Sequence, residues 1–358
     1  MRVAVIPGDG IGPEVINEAV RTLEAARDMF GFELAMDRFD WGAEKYLSTG
    51  ITMPEGGLEM LSGEYDAILA GAFGDPRVPD NKHAADILLG MRFGLDLYIN
   101  LRPIKLIDAR LCPLKNRDTQ DVNFVVFREN TEGMYVFVGG NFKKASSDEI
   151  AVQEEINTRK GVERIIVAAF EYAKKNNRKR VTMSDKSNVL TYGHDLWQRT
   201  FKQVASHYPD IEANHLYVDV LAMWMALDPT RFDVIVTNNL FGDIITDLGA
   251  ALQGGLGMAA SGNIHPGKVS LFEPVHGSAP QFAGKNISNP VAAILTAAMM
   301  VDYLGLSDVA AAIEDAVEKA VRAGETTQDI GGNLSTTEAG QAIRQHLSRG
   351  QGSGGRDQ

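Results

Sequence analysis

From Asn238 to Asp247 the chain reads NNLFGDIITD, directly after the run DVIVT, which is typical of a buried strand. Apolar residues recur at helical spacing after Leu240, at positions 244, 245, 248 and 252, so this stretch predicts a strand that feeds a helix. On that helix Asp243 and Asp247 lie one turn apart on the same face. They are either a solvated pair near the helix start, where the backbone dipole favours acids, or ligands of one divalent cation. The spacing alone leaves both readings open.

The rest of the chain alternates between strand and helix patterns. The strand-like runs are RVAVI, FELAM, YDAILAGAF, DVNFVVF, RVTMSD, DVIVTNN and VSLFEPV. Helical patterns cover 13–30, with Gly31 as a stop signal, and then 159–176, 194–207, 290–304 and 307–324. This alternation predicts an α/β fold.

Composition and charge limit the classes of partner. The chain has 358 residues, 44% of them hydrophobic, which is enough for two domains. A net charge of −12 argues against nucleic acid and anionic membranes as partners, so an anionic substrate needs local cations. The single cysteine excludes a disulfide framework. With no signal-peptide pattern at the start and no apolar run long enough to span a membrane, we expect a cytoplasmic protein.

The motif PGDGIGPEV, Pro7 to Val15, follows a strand and opens a helix. Its glycines at positions 8, 10 and 12 match neither the dinucleotide-binding fingerprint nor the P-loop. The motif is therefore either a plain tight turn or a stretch of flexible backbone close to a ligand.

Three arginines lie within or beside apolar segments, where a guanidinium group needs an anionic partner. Arg92, Arg102 and Arg128 would together suit a substrate with two carboxylates, because guanidinium groups bind carboxylates in a bidentate manner. The alternative is internal ion pairing with nearby acids, namely Asp96, Glu129 or Glu132.

Two further residues are candidates for proton transfer. Lys186 follows the strand RVTMSD, between Asp185 and Asn188, at the end of a strand where α/β folds collect ligands. A lysine there can serve as a general base, although surface lysines are far commoner. Tyr135 can donate a proton to a carbanion, or it can be an ordinary packing residue with a bonded hydroxyl.

Several motifs together carry a family resemblance: IPGDGIGPEV, LRP at 101–103, RENTEGMY, DKSN, NNLFGDIITDLGAALQGGLG, EPVHGSAP and GKNISNP. In this order they resemble the isocitrate/isopropylmalate family of metal-dependent, decarboxylating dehydrogenases, from Arg2 to about Leu347. The resemblance implies a two-domain α/β fold with a large mixed sheet that is not a Rossmann fold. Residues 1–100 plus 254–347 would form the nucleotide-side domain, and 101–253 the metal and dimerisation domain. The polar tail 348–358 is predicted to be disordered.

The resemblance also assigns roles at the site. Asp243 and Asp247, with Asp219 from a partner subunit, would bind Mg²⁺ or Mn²⁺, which implies a homodimer with shared active sites. Lys186, helped by Asp219, would be the general base, and Tyr135 would protonate the enolate formed after decarboxylation. The residues that would clamp the malate-type carboxylates are Arg92, Arg102 and Arg128.

The substrate is indicated by the segment AADILLGMR before Arg92. Leu88 and Leu89 stand where isopropylmalate enzymes of the family place a leucine pair against the isopropyl group, so the resemblance favours 3-isopropylmalate. Ala85 departs from the pattern, because those enzymes usually carry a glutamate there. The segments FDWGAEKY and FGDPRVPD resemble the tartrate and D-malate branch, and RENTEGMY resembles homoisocitrate enzymes.

The cofactor implied by the resemblance is NAD. Its site would be formed by His276, Gly277, Ser278, Ala279, Pro280, Gln281, Asn289 and Asn188. Gln281 replaces the aspartate with which NAD-using members bind the adenosine ribose, so selectivity against NADP is expected to be less steep. Only Lys285 offers a nearby positive charge, and Asp329 opposes it, so NAD is still expected to be preferred.

Overall fold

The computed structural model describes residues 1–348. The strands are β1 (Arg2–Ile6), β2 (Ala35–Arg38), β3 (Ala67–Ala70), β4 (Ile99–Lys105), β5 (Asn123–Glu129), β6 (Gly139–Phe142), β7 (Ile150–Gln153), β8 (Arg180–Asp185), β9 (Glu212–Tyr217), β10 (Val234–Thr237), β11 (Ala260–Ile264) and β12 (Ser270–Pro274). The helices are α1 (Gly12–Phe30), α2 (Ala43–Thr49), α3 (Gly57–Glu64), α4 (Lys82–Ala84), α5 (Gly90–Gly94), α6 (Arg159–Lys175), α7 (Gly193–Ala205), α8 (Val218–Leu227), α9 (Asn239–Leu252), α10 (Val291–Tyr303), α11 (Ser307–Arg322) and α12 (Thr336–His346).

One large mixed sheet organises the described residues. Its strand order is β2-β1-β3-β12-β11-β4-β5-β10-β8-β9, while β6 and β7 form a separate antiparallel ribbon. The strands at each end pair in parallel, whereas β12, β11, β4 and β5 pair antiparallel at the centre. The predicted α/β fold with a large mixed sheet is therefore confirmed.

Local patterns explain why most elements form where they do. Every residue of β3 and β10 is buried, as expected for parallel strands covered by helices on both faces. The first helix ends at Gly31, whose φ of 74° is the left-handed conformation that glycine adopts readily. The predicted strand FELAM covers 32–36, whereas the observed strand β2 begins three residues later and covers Ala35–Arg38. Strand β4, which contains Pro103, was not predicted, since proline is a poor strand residue.

The two ends of the sheet match the proposed division of the chain. Strands β2, β1, β3, β12 and β11 come from the segments assigned to the nucleotide-side domain, and β5, β10, β8 and β9 from the other. The proposed boundary after residue 100 falls inside β4. The division into two domains stays a prediction. The predicted disordered tail lies outside the described residues, except for Ser348.

Helices cover the sheet and form the main apolar core. A cluster of buried side chains links α1, α10 and α11 to one half of the sheet and α6 and α7 to the other. Within residues 1–348, no helix is long and apolar enough to cross a membrane.

Replacing Ile166 tests the contribution of this core. Its side chain on α6 is fully buried, so Ile166→Ala should lower the free energy of unfolding by about 2–5 kcal/mol. The matched control is Ile51→Ala, at a half-exposed isoleucine, with a change within about 0.5 kcal/mol. Urea denaturation followed by circular dichroism measures both, and equal losses would contradict the assignment of the core.

Candidate active site

The stretch Asn238–Asp247 forms the expected strand-to-helix junction. The side chain of Asn238 caps α9 by accepting a hydrogen bond from the backbone N–H of Phe241 at 2.9 Å. Asp243 and Asp247 consequently lie on the same face of α9, the first half-buried and the second exposed. Both carboxylates therefore project from the same side of α9.

Arg128 on β5 anchors the start of α9 to the sheet. Its side chain is only 1% exposed and forms an ion pair with Asp243 through Nη1. Nε and Nη2 both donate to Oδ1 of Asn239, at 3.0 and 2.7 Å. The guanidinium of Arg128 therefore binds two side chains near the start of α9, those of Asn239 and Asp243.

Arg102 reaches the same carboxylate from the neighbouring strand β4. Its Nη2 lies 3.3 Å from Oδ1 of Asp243, and its Nη1 donates to Oγ1 of Thr246 at 2.5 Å. Two buried guanidinium groups thus converge on Asp243 from adjacent strands. From the sequence, these arginines are expected to converge on a dicarboxylate substrate; in the described residues they converge on the carboxylate of Asp243.

Arg92 has an internal partner instead. Its Nη2 lies 2.9 Å from Oε1 of Glu273, a buried carboxylate that also accepts a hydrogen bond from Asn263 at 2.9 Å. The expectation of internal ion pairs was correct in kind but wrong in its partners. The three acids that were considered bind other groups: Asp96 pairs with Arg164, Glu129 accepts from Thr131, and Glu132 accepts from Thr158.

The electrostatics of the two aspartates differ. Burial raises the pKa of Asp243, but Arg128 and Arg102 outweigh burial and hold that pKa below its usual value. Burial and the negative charge of Asp243 raise the pKa of Asp247. The carboxylate of Asp247 forms no ion pair and accepts no hydrogen bond from residues 1–348. A divalent cation on this face would relieve the repulsion between the two.

Tyr135 is held against the same carboxylate. Its hydroxyl donates to Oδ2 of Asp243 at 2.8 Å, and the guanidinium of Arg128 lies over its ring, 5.2 Å from the centroid. Burial and this hydrogen bond raise the pKa of Tyr135, which keeps the phenol protonated. The hydroxyl is therefore available as a proton donor beside the arginines.

Lys186 and Asp219 form a separate pair. Nζ of Lys186, just after β8, lies 2.5 Å from Oδ1 of Asp219 in the first turn of α8, and this contact lowers the pKa of Asp219. No group of three acids, histidines or cysteines able to hold a metal occurs in residues 1–348 of a single chain. One chain alone thus does not assemble Asp219 with the two aspartates of α9.

The predicted substrate segment forms a short irregular helical stretch. Leu88 and Leu89 are half-buried in a π-helical turn, Ala85–Leu89, that runs directly into α5 and Arg92. Leu88 packs partly against the apolar cluster around Trp41 and Met91. Leu88, Leu89 and Arg92 therefore lie on one continuous helical stretch.

The predicted cofactor residues form a loop after β12, with one exception. His276, Ser278 and Asn289 are buried, Ala279 is half-buried, and the exposed members are Gly277, Pro280 and Gln281. Asn289 donates to Oδ2 of Asp329 at 3.0 Å. Asn188 lies instead in the exposed turn after β8, on the other end of the sheet.

His276 in this loop has one ring nitrogen with a partner and one without. Its Nδ1 contacts the carbonyl oxygen of Gly277, while its Nε2 is buried and has no partner among the described residues. Burial lowers the pKa of His276, so the ring is neutral near pH 7. A neutral imidazole with an unsatisfied nitrogen fits a polar ring or a ribose better than it fits a phosphate.

The glycines of PGDGIGPEV permit close approach to this loop. A Cβ on Gly10, which has a φ of +58°, would lie 1.9 Å from the carbonyl oxygen of Ser278. The neighbouring N–H of Ile11 donates to that same oxygen at 2.8 Å. The motif forms a tight turn whose backbone contacts the predicted cofactor loop, and its proximity to a ligand stays a prediction.

Sequence reasoning missed several residues of the site. Asn239 and Thr246 hold the buried arginines, and Glu273 pairs with Arg92. A signal was present for Glu273, because a carboxylate inside the apolar strand VSLFEPV requires a buried partner.

Comparisons with known proteins agree with this geometry. The family described as isocitrate/isopropylmalate dehydrogenase matches residues 2–343. The chain is 44% identical to a 3-isopropylmalate dehydrogenase of Thermobifida fusca, over 97% of this chain and 98% of the relative. It is also 44% identical to a tartrate dehydrogenase/decarboxylase of Pseudomonas putida, with the same two coverages. The crystal structure of isocitrate dehydrogenase from Methylococcus capsulatus superposes with a TM-score of 0.88 at 36% identity, covering 97% of this chain and 99% of that one.

This chain belongs to the isocitrate/isopropylmalate dehydrogenase family. The predicted family is thereby confirmed, and so is the expectation of a decarboxylating dehydrogenase. The family implies, in general terms, a nicotinamide cofactor, a divalent metal and a small dicarboxylate substrate.

The link between the two aspartates can be tested without catalysis. Asp243→Asn removes the charge that helps to raise the pKa of Asp247, and it frees Arg102 to act on Asp247. We expect the pKa of Asp247 to fall. Carbon-detected NMR of aspartate labelled at Cγ measures it, with Asp247→Asn to assign the signal. Asp195→Asn, at an exposed ion pair with Arg199, is the control and should leave this pKa unchanged. An unchanged pKa in Asp243→Asn would refute the coupling.

Proposed function

We propose that the protein catalyses the NAD- and divalent-metal-dependent oxidative decarboxylation of 3-isopropylmalate to 2-oxoisocaproate, a step of leucine biosynthesis, in the cytoplasm. The main supporting observation is the convergence of Arg102 and Arg128 on Asp243, on the helix that also carries Asp247. Two arginines able to bind an anion and two aspartates able to bind a metal therefore lie within one small region.

The arginines would hold the malate part of the substrate. Arg92, Arg102 and Arg128 all lie close enough to Asp243 to lower the pKa of its carboxyl, so the three guanidinium groups share one anion-binding region. Leu88 and Leu89 would contact the isopropyl group. An apolar contact of that size favours the isopropyl group over bare malate by about 1–3 kcal/mol.

The metal and cofactor sites fit the residues present. Asp243 and Asp247 supply the oxygen ligands that Mg²⁺ and Mn²⁺ prefer, and Asp219 of the partner subunit would supply a third. The loop from His276 to Gln281, with Asn289 and with Asn188, would hold NAD. When bound, NAD accepts a hydride from C2 of the substrate, and the cation polarises the C2 oxygen.

Lys186 and Tyr135 would move the two protons. Lys186, in its neutral form, would accept the proton of the C2 hydroxyl, with Oδ1 of Asp219 at 2.5 Å from its Nζ. The β-carboxylate then leaves as CO₂. Tyr135, kept protonated beside Asp243, donates a proton to the carbon of the resulting enolate.

A homodimer would complete the site. Asp219 does not join Asp243 and Asp247 within one chain, so the three meet only if a second copy contributes. The ribbon of β6 and β7 is exposed along its length, including Phe142 and Ile150. Apolar side chains are also exposed on α8 and α9, namely Met223, Leu227 and Ile244. Surfaces of this kind are typical of subunit contacts.

A second candidate activity is oxidation of D-malate or tartrate. The similarity to the Pseudomonas putida enzyme supports it, and so does Ala85, which stands where isopropylmalate enzymes usually carry a glutamate. A homoisocitrate enzyme of the same family is a weaker alternative, and a non-catalytic paralogue is weaker still, because all the chemistry-bearing residues are present.

Initial rates distinguish these activities. With NAD and Mg²⁺ we expect the highest kcat/KM on 3-isopropylmalate among 3-isopropylmalate, homoisocitrate, isocitrate, D-malate and tartrate. A chelator should abolish turnover, and Mg²⁺ or Mn²⁺ should restore it. A higher kcat/KM on D-malate or tartrate would replace the proposed substrate, and full activity in excess chelator would reject the metal.

Mixed dimers test whether the site is shared. Lys186→Ala and Asp243→Asn should each inactivate the homodimer. Co-expression of the two variants should restore about a quarter of wild-type activity, because half of the dimers are mixed and each of these has one intact site. Isolation of the mixed dimer with two different affinity tags should give about half of wild-type activity. Inactive mixed dimers would show that each chain uses its own Lys186.

Gln281 sets the expected cofactor preference. Its exposed neutral amide can bind the ribose for about 0.5–1.5 kcal/mol, but it does not repel a 2′-phosphate as a carboxylate would. We expect NAD to be preferred, and Gln281→Asp to increase the ratio of kcat/KM for NAD over NADP. Gln341→Asp, at an exposed position of α12, is the matched control. A wild-type enzyme that is faster with NADP would overturn the prediction.

A further inference from the structure

We propose that Asp9 is a positioning residue that holds the substrate segment 74–92 and the cofactor loop 276–289 in a fixed relation. The proposal rests on the function proposed above, because it assigns those two segments to substrate and cofactor. Asp9 lies in the PGDG turn between β1 and α1 and is not itself placed in contact with either ligand.

The carboxylate of Asp9 accepts three hydrogen bonds from three separate parts of the chain. Oδ1 accepts from the backbone N–H of Ala43 at 2.6 Å. Oδ2 accepts from the backbone N–H of Gly74 at 2.8 Å and from Nε2 of His83 at 2.7 Å. Asp9 is 7% exposed and His83 is fully buried, so water does not compete strongly for these bonds.

The contact with His83 reaches the substrate segment directly. Since a carboxylate can only accept, Nε2 of His83 donates, while its Nδ1 is buried and unpartnered within the described residues. The ring of Tyr46 stacks on the imidazole at 6.1 Å between centroids. His83 lies in α4, which continues into the π-helical turn with Leu88 and Leu89. Fixing His83 therefore fixes the start of the turn that presents the leucine pair.

The same PGDG turn contacts the cofactor loop. Ile11 donates its N–H to the carbonyl oxygen of Ser278 at 2.8 Å. One turn further along α1, the carboxylate of Glu14 accepts the backbone N–H groups of Gly284 and Asn286. The turn thus contacts the cofactor loop through the backbone of Ile11 and the carboxylate of Glu14, and the substrate segment through the carboxylate of Asp9.

An aspartate is specifically required at this position. Three donors converge on two oxygens, and an asparagine would offer one acceptor and one opposing donor. Gly42, at the start of α2, has no side chain to cap that helix, and a Cβ there would lie 2.6 Å from Oδ1 of Asp9. Asp9 therefore supplies the missing acceptor for α2 as well.

Steady-state kinetics with the intact enzyme test this role. Asp9→Asn should raise KM for both 3-isopropylmalate and NAD by about tenfold, with a smaller change in kcat, because ligand positioning is lost and the reacting groups remain. His83→Leu should raise KM for 3-isopropylmalate alone. His83→Gln, which keeps an N–H donor, should restore it.

Glu18→Gln removes a buried carboxylate that pairs with Arg344 on the far side of α1, so it should lower stability without changing either KM. Unchanged KM values in Asp9→Asn, or equal kinetics for His83→Leu and His83→Gln, would overturn the positioning role. If Asp9→Asn does not fold, the two His83 variants decide. If the wild-type enzyme does not turn over 3-isopropylmalate, only the proposed function fails, and calorimetric NAD binding to wild type and Asp9→Asn then tests Asp9.

Discussion

The site depends on one ion pair, between the buried Arg128 on β5 and the half-buried Asp243 on α9. A buried guanidinium is costly unless its donors are satisfied, and Arg128 satisfies them on Asp243 and Asn239. Removing Asp243 would leave the charge of Arg128 buried without its ionic partner, which destabilises the fold. The pair therefore fixes α9 to the sheet, and with it the direction in which Asp247 faces.

Packing around this ion pair favours glycine at position 242. A Cβ on Gly242 would lie 2.5 Å from Cγ of Arg128, so a larger residue would push the guanidinium away from its partners. Tyr135 and Arg102 bind the same carboxylate from other directions. Asp243 is thus ionised and immobilised by cations, whereas Asp247 is exposed and carries a raised pKa. Asp243 and Asp247 are therefore neighbours on one helix face with different electrostatic environments.

The mixed sheet explains how one chain separates the two halves of the site. The PGDG turn follows β1 and the predicted cofactor loop follows β12, whereas the arginine anchor Arg128 lies on β5 and α9 follows β10. The antiparallel pairs among β12, β11, β4 and β5 join the two ends of the sheet; these strands carry Glu273 and Arg102, and Arg92 lies on α5 just before β4. Contacts across it bring segments distant in sequence together, for example Arg92 with Glu273. The acidic surface implied by a net charge of −12 makes these local cations more important for an anionic substrate.

The sequence alone determined the α/β alternation, the helix that carries Asp243 and Asp247, and the family, because periodicity and motif order are local properties of the chain. It did not predict strands β4, β6, β7, β9 and β11 or the shorter helices, whose patterns are weaker. It also identified the three arginines, since a charged residue in an apolar run needs a partner. Only the tertiary structure decided which partners they have: Glu273 for Arg92, and Asp243 with Asn239 for Arg128. Those partners come from strands and helices more than a hundred residues away, and no local pattern encodes such a distance. The role of Asp9 as a shared acceptor was equally hidden, because its three donors meet only after the sheet has formed.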